Sequence, residues 1–217
     1  MRRFRITPLR LATAIVISSG VSVGVAYAAT LGLGSNKLFA WSQTLTKGTC
    51  NQTSATGDDT YVQQLSPAST AGGTATTLTI SPIAATQDYA FIRFNLSGCS
   101  IPTTSGADSA VLTVNVRTSG ADTISLFPVT SSWSSSTLTW NGVSGLTIGS
   151  TATGTFSASS TGTKTVTVTT DVDNAIKAGN LWGWELRATS GSVSVAIGAA
   201  ENGTAANRPS MTLSYEK

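Results

Sequence analysis

Short segments in which apolar and polar residues alternate recur along most of this chain. From Ala110 to Val116 every second residue is apolar, while Thr113 and Asn115 between them are polar. Because successive side chains of a strand point to opposite faces, this pattern predicts strands with one buried face. Glycine, proline and asparagine between the segments predict turns. The sequence therefore predicts an all-β chain, a two-sheet antiparallel β-sandwich of jelly-roll type with one short helix.

The predicted strands are Thr60–Leu65, Thr76–Ser81, Tyr89–Leu96, Ser109–Thr118, Thr123–Val129, Leu138–Trp140, Gly154–Ser157, Lys164–Thr170, Trp182–Ala188, Val193–Ile197 and Met211–Tyr215. The predicted helix covers Asp171–Gly179, with Asp171 capping its first turn and Gly179 ending it. No repeat or low-complexity linker divides these predicted elements, so residues 58–217 are predicted to form the sandwich domain.

The N-terminus has the layout of a secretory signal peptide. Four arginines lie within residues 1–10, an apolar run follows over residues 11–25, and residues 26–28 are Ala-Tyr-Ala before the predicted cleavage point. Residues 1–28 are therefore predicted to be removed, leaving an extracellular, secreted chain. A retained membrane anchor is the alternative. Residues 29–57 are predicted to form a lead segment tied to the domain.

Cleavage would change the charge balance. The whole chain has 13 Lys and Arg against 10 Asp and Glu, so losing four arginines leaves nine against ten, a net charge of −1. A near-neutral protein lacks the basic surface that nucleic acids or anionic membranes attract. We therefore predict no nucleic-acid partner and, after cleavage, no membrane partner.

Cys50 and Cys99 are the two cysteines in the sequence. An even number in an exported protein predicts a disulfide, which would tie the lead segment to the turn after the Tyr89–Leu96 strand. Two free buried thiols are the alternative. Since the sequence has no histidine, a Cys/His zinc site and histidine-dependent catalysis are excluded.

Carboxylates offer little for catalysis. Adjacent Asp58 and Asp59 point to opposite faces of an extended chain, and Asp171 with Asp173 fits a helix start better than a catalytic pair. The chain is therefore predicted not to be an enzyme. Asp58, Asp59 and Glu201 are a candidate site for structural calcium, because loops at a sandwich end can supply carboxylate and carbonyl oxygens. No other cofactor is predicted.

Several strands carry arginine and asparagine opposite their apolar residues. Arginine can bind a carboxylate through two parallel hydrogen bonds, so an acidic sugar such as a uronate would suit this face. The predicted ligand-binding residues are Arg93, Asn95, Asn115, Arg117, Glu185 and Arg187. Alternation also predicts that the three arginines share one sheet face within reach of one ligand. A solvated face without a ligand is the alternative.

Alternation also assigns the aromatic residues of two strands to the core or to the polar face. Trp182 and Trp184 alternate in phase with Leu186, which predicts that both tryptophans lie in the core. Phe91 lies beside Arg93 on the polar face. It either contacts a ligand there or belongs to a second core layer under a loop.

Three motifs in fixed order resemble a known family. The segment Tyr89–Leu96 contains FIRF, Val129–Asn141 brackets a Ser/Thr run with Trp133 and Trp140, and the chain ends in NRPSMTLSYE before its last residue. Together they resemble the DNRLRE-type domain over about residues 58–216. The resemblance implies a secreted bacterial β-sandwich module, with Trp133 and Trp140 in a structural corner. A surface role for these two tryptophans is the alternative.

Some members of that family are carbohydrate-binding modules that recognise alginate, and sugar-binding jelly rolls often carry structural calcium. The resemblance therefore implies a non-catalytic module with a polysaccharide or cell-wall glycan as its partner. The alternative is a structural or adhesive cell-surface or matrix protein without a specific glycan ligand.

Overall fold

The computed structural model describes residues 46–55, 58–102, 105–120 and 122–216. The predicted signal peptide and most of the lead segment lie outside the described residues. None of the helices in the described ranges is long and apolar enough to cross a membrane.

The described residues form eleven strands: β1 (Lys47–Thr53), β2 (Asp59–Gln63), β3 (Thr77–Ile80), β4 (Asp88–Ile92), β5 (Ala107–Thr118), β6 (Thr123–Pro128), β7 (Gly154–Ser157), β8 (Gly162–Thr167), β9 (Trp184–Ser190), β10 (Val195–Gly198) and β11 (Ser210–Glu216). They also form two α-helices, α1 (Trp140–Val143) and α2 (Thr169–Ala178), and 3-10 turns at Ala71–Thr74, Leu96–Gly98 and Ala205–Asn207.

The strands make two antiparallel sheets. One has six strands in the order β1-β11-β5-β10-β3, with β8 also paired to β5; the other has five in the order β2-β4-β9-β6-β7. The predicted all-β sandwich with a short helix is confirmed. Helix α1 is a single additional turn, begun by the Thr139 side chain, which accepts a hydrogen bond from the Gly142 amide.

Alternation places the inner faces correctly. On β5, Ala110, Leu112, Val114 and Val116 are buried as predicted, and across the sandwich Trp184 is fully buried. These side chains belong to one continuous core between the sheets. Burying a side chain of this size contributes about 1.5–3 kcal/mol, so the core is the main stabilising feature.

Two strand assignments differ from the prediction. In place of the predicted strand Leu138–Trp140, Leu138 and Thr139 belong to a loop and Trp140 is the first residue of α1. The sequence predicts no strand at the position of β1, because its residues, KGTCNQT, show no alternation of apolar and polar side chains. It is held by pairing along its whole length with β11, from Lys47 opposite Glu216 to Thr53 opposite Ser210, so the sandwich begins at Lys47.

Helix α2 begins two residues before the predicted start. Its first turn has no side-chain cap, and Asp171 instead accepts a hydrogen bond from Trp184 Nε1 at 2.6 Å. Gly179 ends the helix as predicted, since its left-handed conformation, with φ of 76°, is one that glycine adopts without strain.

The predicted disulfide between Cys50 and Cys99 is present. It joins β1 of the six-stranded sheet to the loop that follows β4 of the five-stranded sheet. The side-chain amide of Gln52 lies 3.1 Å and 3.2 Å from the two sulfur atoms. The described part of the lead segment is therefore covalently fixed to the other sheet.

Candidate functional site

The outer face of the five-stranded sheet is covered by residues 129–148, which connect β6 to β7. These residues pack on apolar side chains that form a second core, separate from the one between the sheets. We call it the outer layer; its buried members are Val62, Phe91, Val129, Trp133 and Leu138. Of the two roles considered for Phe91, the structure therefore shows the second core layer.

Trp182 belongs to this outer layer, so its predicted place in the sandwich core is wrong. Gly183 has φ of +78°, and a Cβ there would lie 1.9 Å from the carbonyl oxygen of Ile92. This turn breaks the alternation immediately before β9. Trp184 is consequently buried between the sheets, whereas Trp182 is partly exposed against the outer layer. Its carbonyl accepts a hydrogen bond from Trp133 Nε1 at 2.6 Å.

At the edge of the outer layer, Arg187 is held against two aromatic rings. Its guanidinium carbon lies 4.9 Å from the centroid of the Tyr89 ring and 5.0 Å from that of Phe127. Arg187 Nη2 also donates a hydrogen bond to Glu185. Because 34% of the Arg187 side chain remains exposed, part of this arginine lies at the surface in a restrained orientation.

Glu185 lies on the same face of β9 and is fully buried. Burial raises the pKa of this carboxyl, and the hydrogen bond and charge of Arg187 offset part of that effect. Glu185 Oε1 and Arg187 Nε are both buried without a hydrogen-bond partner within the described ranges. Because a buried charge without its partner is costly, the Glu185 carboxylate and the Arg187 guanidinium stay together. This pairing restrains the position of Arg187.

Two half-buried aromatic rings extend the surface beside Arg187. The rings of Tyr89 and Trp140 lie 4.8 Å apart between centroids and are tilted by 36°. Tyr89 also donates a hydrogen bond from its hydroxyl to Gln87 Oε1 at 3.1 Å. Partly exposed rings beside a fixed arginine offer both an apolar surface and charged donors.

We call this surface, together with the buried Glu185 that binds Arg187, the Arg187 patch; its other members are Tyr89, Phe127 and Trp140. The sequence predicts Glu185 and Arg187 as ligand-binding residues but gives no such signal for the three aromatic residues. The missing signal is register: Phe127 lies opposite Glu185 across β6 and β9, and Phe91 lies opposite Glu185 across β4 and β9. Alternation along a single strand does not contain that information.

Arg93 lies at another place on the outer layer. Arg93 Nη1 donates to the Trp133 carbonyl at 2.7 Å, the guanidinium lies 5.0 Å from the Trp133 ring centroid, and Arg93 Nε lies 3.6 Å from Asp58 Oδ1. Arg93 and Asn95 both line a cleft of about 660 Å³ between the loop after β4 and the end of α2. Asn95 Oδ1 accepts a hydrogen bond from the Ser97 amide at 2.9 Å.

Arg117 and Asn115 lie on β5, in the other sheet. Arg117 Nη1 donates to Asn207 Oδ1 at 3.1 Å and lies 3.4 Å from Asn115 Oδ1. The outer faces of two packed sheets point away from each other, so one ligand cannot contact all three predicted arginines. The prediction of a shared arginine site is wrong, because alternation assigns a face to each strand without saying which sheet the strand joins.

The six predicted ligand-binding residues therefore fall into three pairs in three places: Glu185 with Arg187, Arg93 with Asn95, and Asn115 with Arg117.

In the described ranges, the acidic residues proposed for calcium do not form a metal site. Asp58 Oδ2 accepts a hydrogen bond from the Ala55 amide at 3.0 Å, while buried Asp59 accepts one from the Ala200 amide at 2.7 Å. Burial, with a further contribution from the carboxyl of Glu201, raises the pKa of Asp59 to about 8. The described ranges contain no group of three or more acidic or cysteine side chains placed to hold a metal. Two neighbouring carboxyls do not supply the six or so oxygen ligands that calcium takes.

Comparison with known proteins supports the sugar-binding interpretation. A search of curated proteins found no match. A model of carbohydrate-binding module family 96 matches residues 51–215, which include both sheets apart from the start of β1 and the end of β11. Carbohydrate-binding modules bind glycans without catalysing a reaction, in line with the predicted absence of catalysis. The matching family is not described as a DNRLRE-type domain, so the resemblance to that domain stays a prediction. Since the matched region covers most of its length, the chain belongs to carbohydrate-binding module family 96.

Proposed function

We propose that this protein is a secreted module that binds an extracellular polysaccharide bearing carboxylate groups, and that it does so through the Arg187 patch. The observation that carries the proposal is the position of Arg187, which is held by Tyr89, Phe127 and Glu185 while part of its guanidinium remains exposed. The disulfide and the predicted signal peptide both suit an extracellular location.

The chemistry of the patch matches an acidic sugar polymer. A guanidinium that is already restrained loses little side-chain freedom on binding, so more of its hydrogen-bond energy contributes to affinity. The N–H donors in its exposed part can engage a uronate carboxylate or adjacent hydroxyl groups. The half-buried rings of Tyr89 and Trp140 can pack against the C–H face of a neighbouring pyranose.

Isothermal titration with defined polysaccharides tests the proposal. Alginate and polygalacturonate carry a carboxylate on every sugar unit, whereas dextran is neutral. We expect saturable binding to at least one acidic polymer, no binding to dextran, and weaker binding at higher salt because exposed charge contacts are screened. Saturable binding to dextran alone would contradict the acidic ligand. Absence of binding across a broad glycan panel would favour the structural or adhesive alternative.

A matched pair of variants locates the site. Arg187→Lys keeps the charge but removes the planar guanidinium, so it should lower affinity about tenfold, the effect of losing one charge-assisted hydrogen bond. Arg117→Lys makes the same exchange on the other sheet and should leave affinity unchanged. Equal losses in the two variants, or a loss only in Arg117→Lys, would place the ligand elsewhere.

A further inference from the structure

The cleft beside Arg93 differs in chemistry from the Arg187 patch. We infer that it is a second glycan subsite, which takes a sugar unit carrying an O-acetyl group. The inference rests on the proposed function only in that the ligand is a glycan; it does not depend on Arg187.

The apolar lining of the cleft is mostly aliphatic, with Phe94 and Trp182 as its aromatic members. Leu96, Ile101, Ile176 and Leu181 line it, and each is partly exposed while also packing against the core between the sheets. A floor of branched side chains offers an irregular apolar depression. Such a shape suits a small apolar substituent, because a methyl group buried there leaves water without requiring a planar partner.

The rim of the cleft is polar and nearly charge-balanced. Arg93 is accompanied there by Asp58, whose carboxylate lies 3.6 Å from Arg93 Nε. Asn95 and Asn180 are both exposed at the rim and carry amide donors. A second carboxylate brought by a uronate would meet the negative charge of Asp58. A neutral ester carbonyl can instead accept a hydrogen bond from an amide or the guanidinium without that repulsion.

The walls of the cleft are fixed before any ligand binds. Cys99 lines it and is bonded to Cys50, which anchors the loop after β4. On the opposite side, helix α2 is tied to β5, since Asp173 Oδ1 accepts a hydrogen bond from the Ala107 amide at 3.1 Å. A cavity of about 660 Å³ with restrained walls is large enough for one or two sugar units.

Nuclear magnetic resonance titration of the whole protein with small glycosides tests the inference. The probes are methyl glucosides and methyl glucuronosides acetylated singly at O2 or O3, together with their unacetylated parents. We expect at least one acetylated probe to shift the methyl resonances of Ile101 and Ile176 and the indole N–H of Trp182. Its affinity should exceed that of its parent by roughly fourfold or more, the effect of burying one methyl group. Equal affinities for every pair, or no shifts at these residues, would overturn the inference.

Two blocking variants on different elements keep the test independent of folding problems. Ala175→Leu on α2 and Ser97→Trp in the loop after β4 both place bulk at the cleft, and each should abolish the preference for the acetylated probe. Retention of that preference in a folded blocking variant would also overturn the inference. Arg187→Lys should not change the shifts of Ile101, Ile176 and Trp182 caused by the acetylated methyl glucosides, which carry no carboxylate. Failure of the Arg187 patch to bind acidic polymers would therefore be distinguishable from failure of the cleft.

Discussion

Both sheets consist of strands in which apolar and polar residues alternate, but the outer faces of the two sheets differ. On the six-stranded sheet, outward positions such as Thr49, Asn51 and Thr212 are exposed. On the five-stranded sheet, Phe91 occupies an outward position and is fully buried beneath residues 129–148. Residues 129–148 lie over one sheet only. They complete a second core there, and Arg93 and Arg187 are restrained against its aromatic rings.

The physical reason lies in the outward side chains themselves. Threonine and serine suit a strand and stay solvated, so the six-stranded sheet needs no cover. Phe91 and Val62 on the other sheet would expose a large apolar area, and the residues that cover them bury Trp133 and leave Trp140 partly exposed at the surface. The proposed binding chemistry is therefore a consequence of how this face is covered.

The largest predicted effect comes from removing the centre of the outer layer. Phe91→Ala should lower the free energy of unfolding by about 3–5 kcal/mol, because it empties a filled apolar site. Thr212→Ala, an outward exchange on the other sheet, should change it by less than about 0.5 kcal/mol. Urea unfolding of both variants measures the contrast. A loss below about 1 kcal/mol for Phe91→Ala would show that the covering loop is not a second core.

The disulfide tests how firmly the two sheets are tied together. The double variant Cys50→Ser, Cys99→Ser should lose about 2–4 kcal/mol of unfolding free energy, since the bond restricts the unfolded chain over a separation of 49 residues. Chemical denaturation under oxidising conditions gives the value, with wild-type protein in reductant as the control. An unchanged stability would contradict a structural role for the bond.

Asp59 should make stability depend on pH. Its pKa is raised to about 8 in the folded protein, so the folded state holds a proton that the unfolded chain releases near pH 4. The stability it contributes is present below about pH 4 and is lost as pH rises through about 8. We expect a loss on the order of 4 kcal/mol between pH 5 and pH 9, measured by urea unfolding.

Asp59→Asn is the control for that pH dependence. Its side chain can still accept the Ala200 hydrogen bond but does not titrate, so the slope of stability against pH should become shallower. Asp88, Asp122 and Glu185 also have raised pKa values and would leave a smaller slope of the same sign. A variant that keeps the full wild-type slope would exclude Asp59 as its source.

The smallest predicted effect is at Arg117. Arg117→Ala should change the melting temperature by about 1 °C or less and leave polysaccharide affinity unaltered. The exposed Arg117 side chain forms hydrogen bonds with the polar side chains of Asn115 and Asn207, and exposed contacts of this kind contribute little to stability. Differential scanning calorimetry and titration with the same polymer check both parts. A clear loss of affinity would move the site to the six-stranded sheet.

Alternation predicted the inner faces because burial between two sheets depends only on each strand's own pattern. It placed Leu112 and Trp184 correctly, and the cysteine count predicted the disulfide. It failed for Trp182, because the left-handed turn at Gly183 resets the faces, and for Arg117, because strand order is set by distant pairing. Glu185 and Arg187 were both among the predicted ligand-binding residues, but the rings around them depend on register and on the path of a loop.

The most direct test of where the glycan binds is a nuclear magnetic resonance titration of wild-type protein with uronate oligosaccharides. We expect the largest shifts at the Trp140 indole N–H and at the backbone amides of Tyr89, Phe127 and Arg187, with the Asn115 side-chain amide unchanged. Shifts confined to β5, β8 and β11 would contradict the proposal that the covered face of the five-stranded sheet is the binding surface.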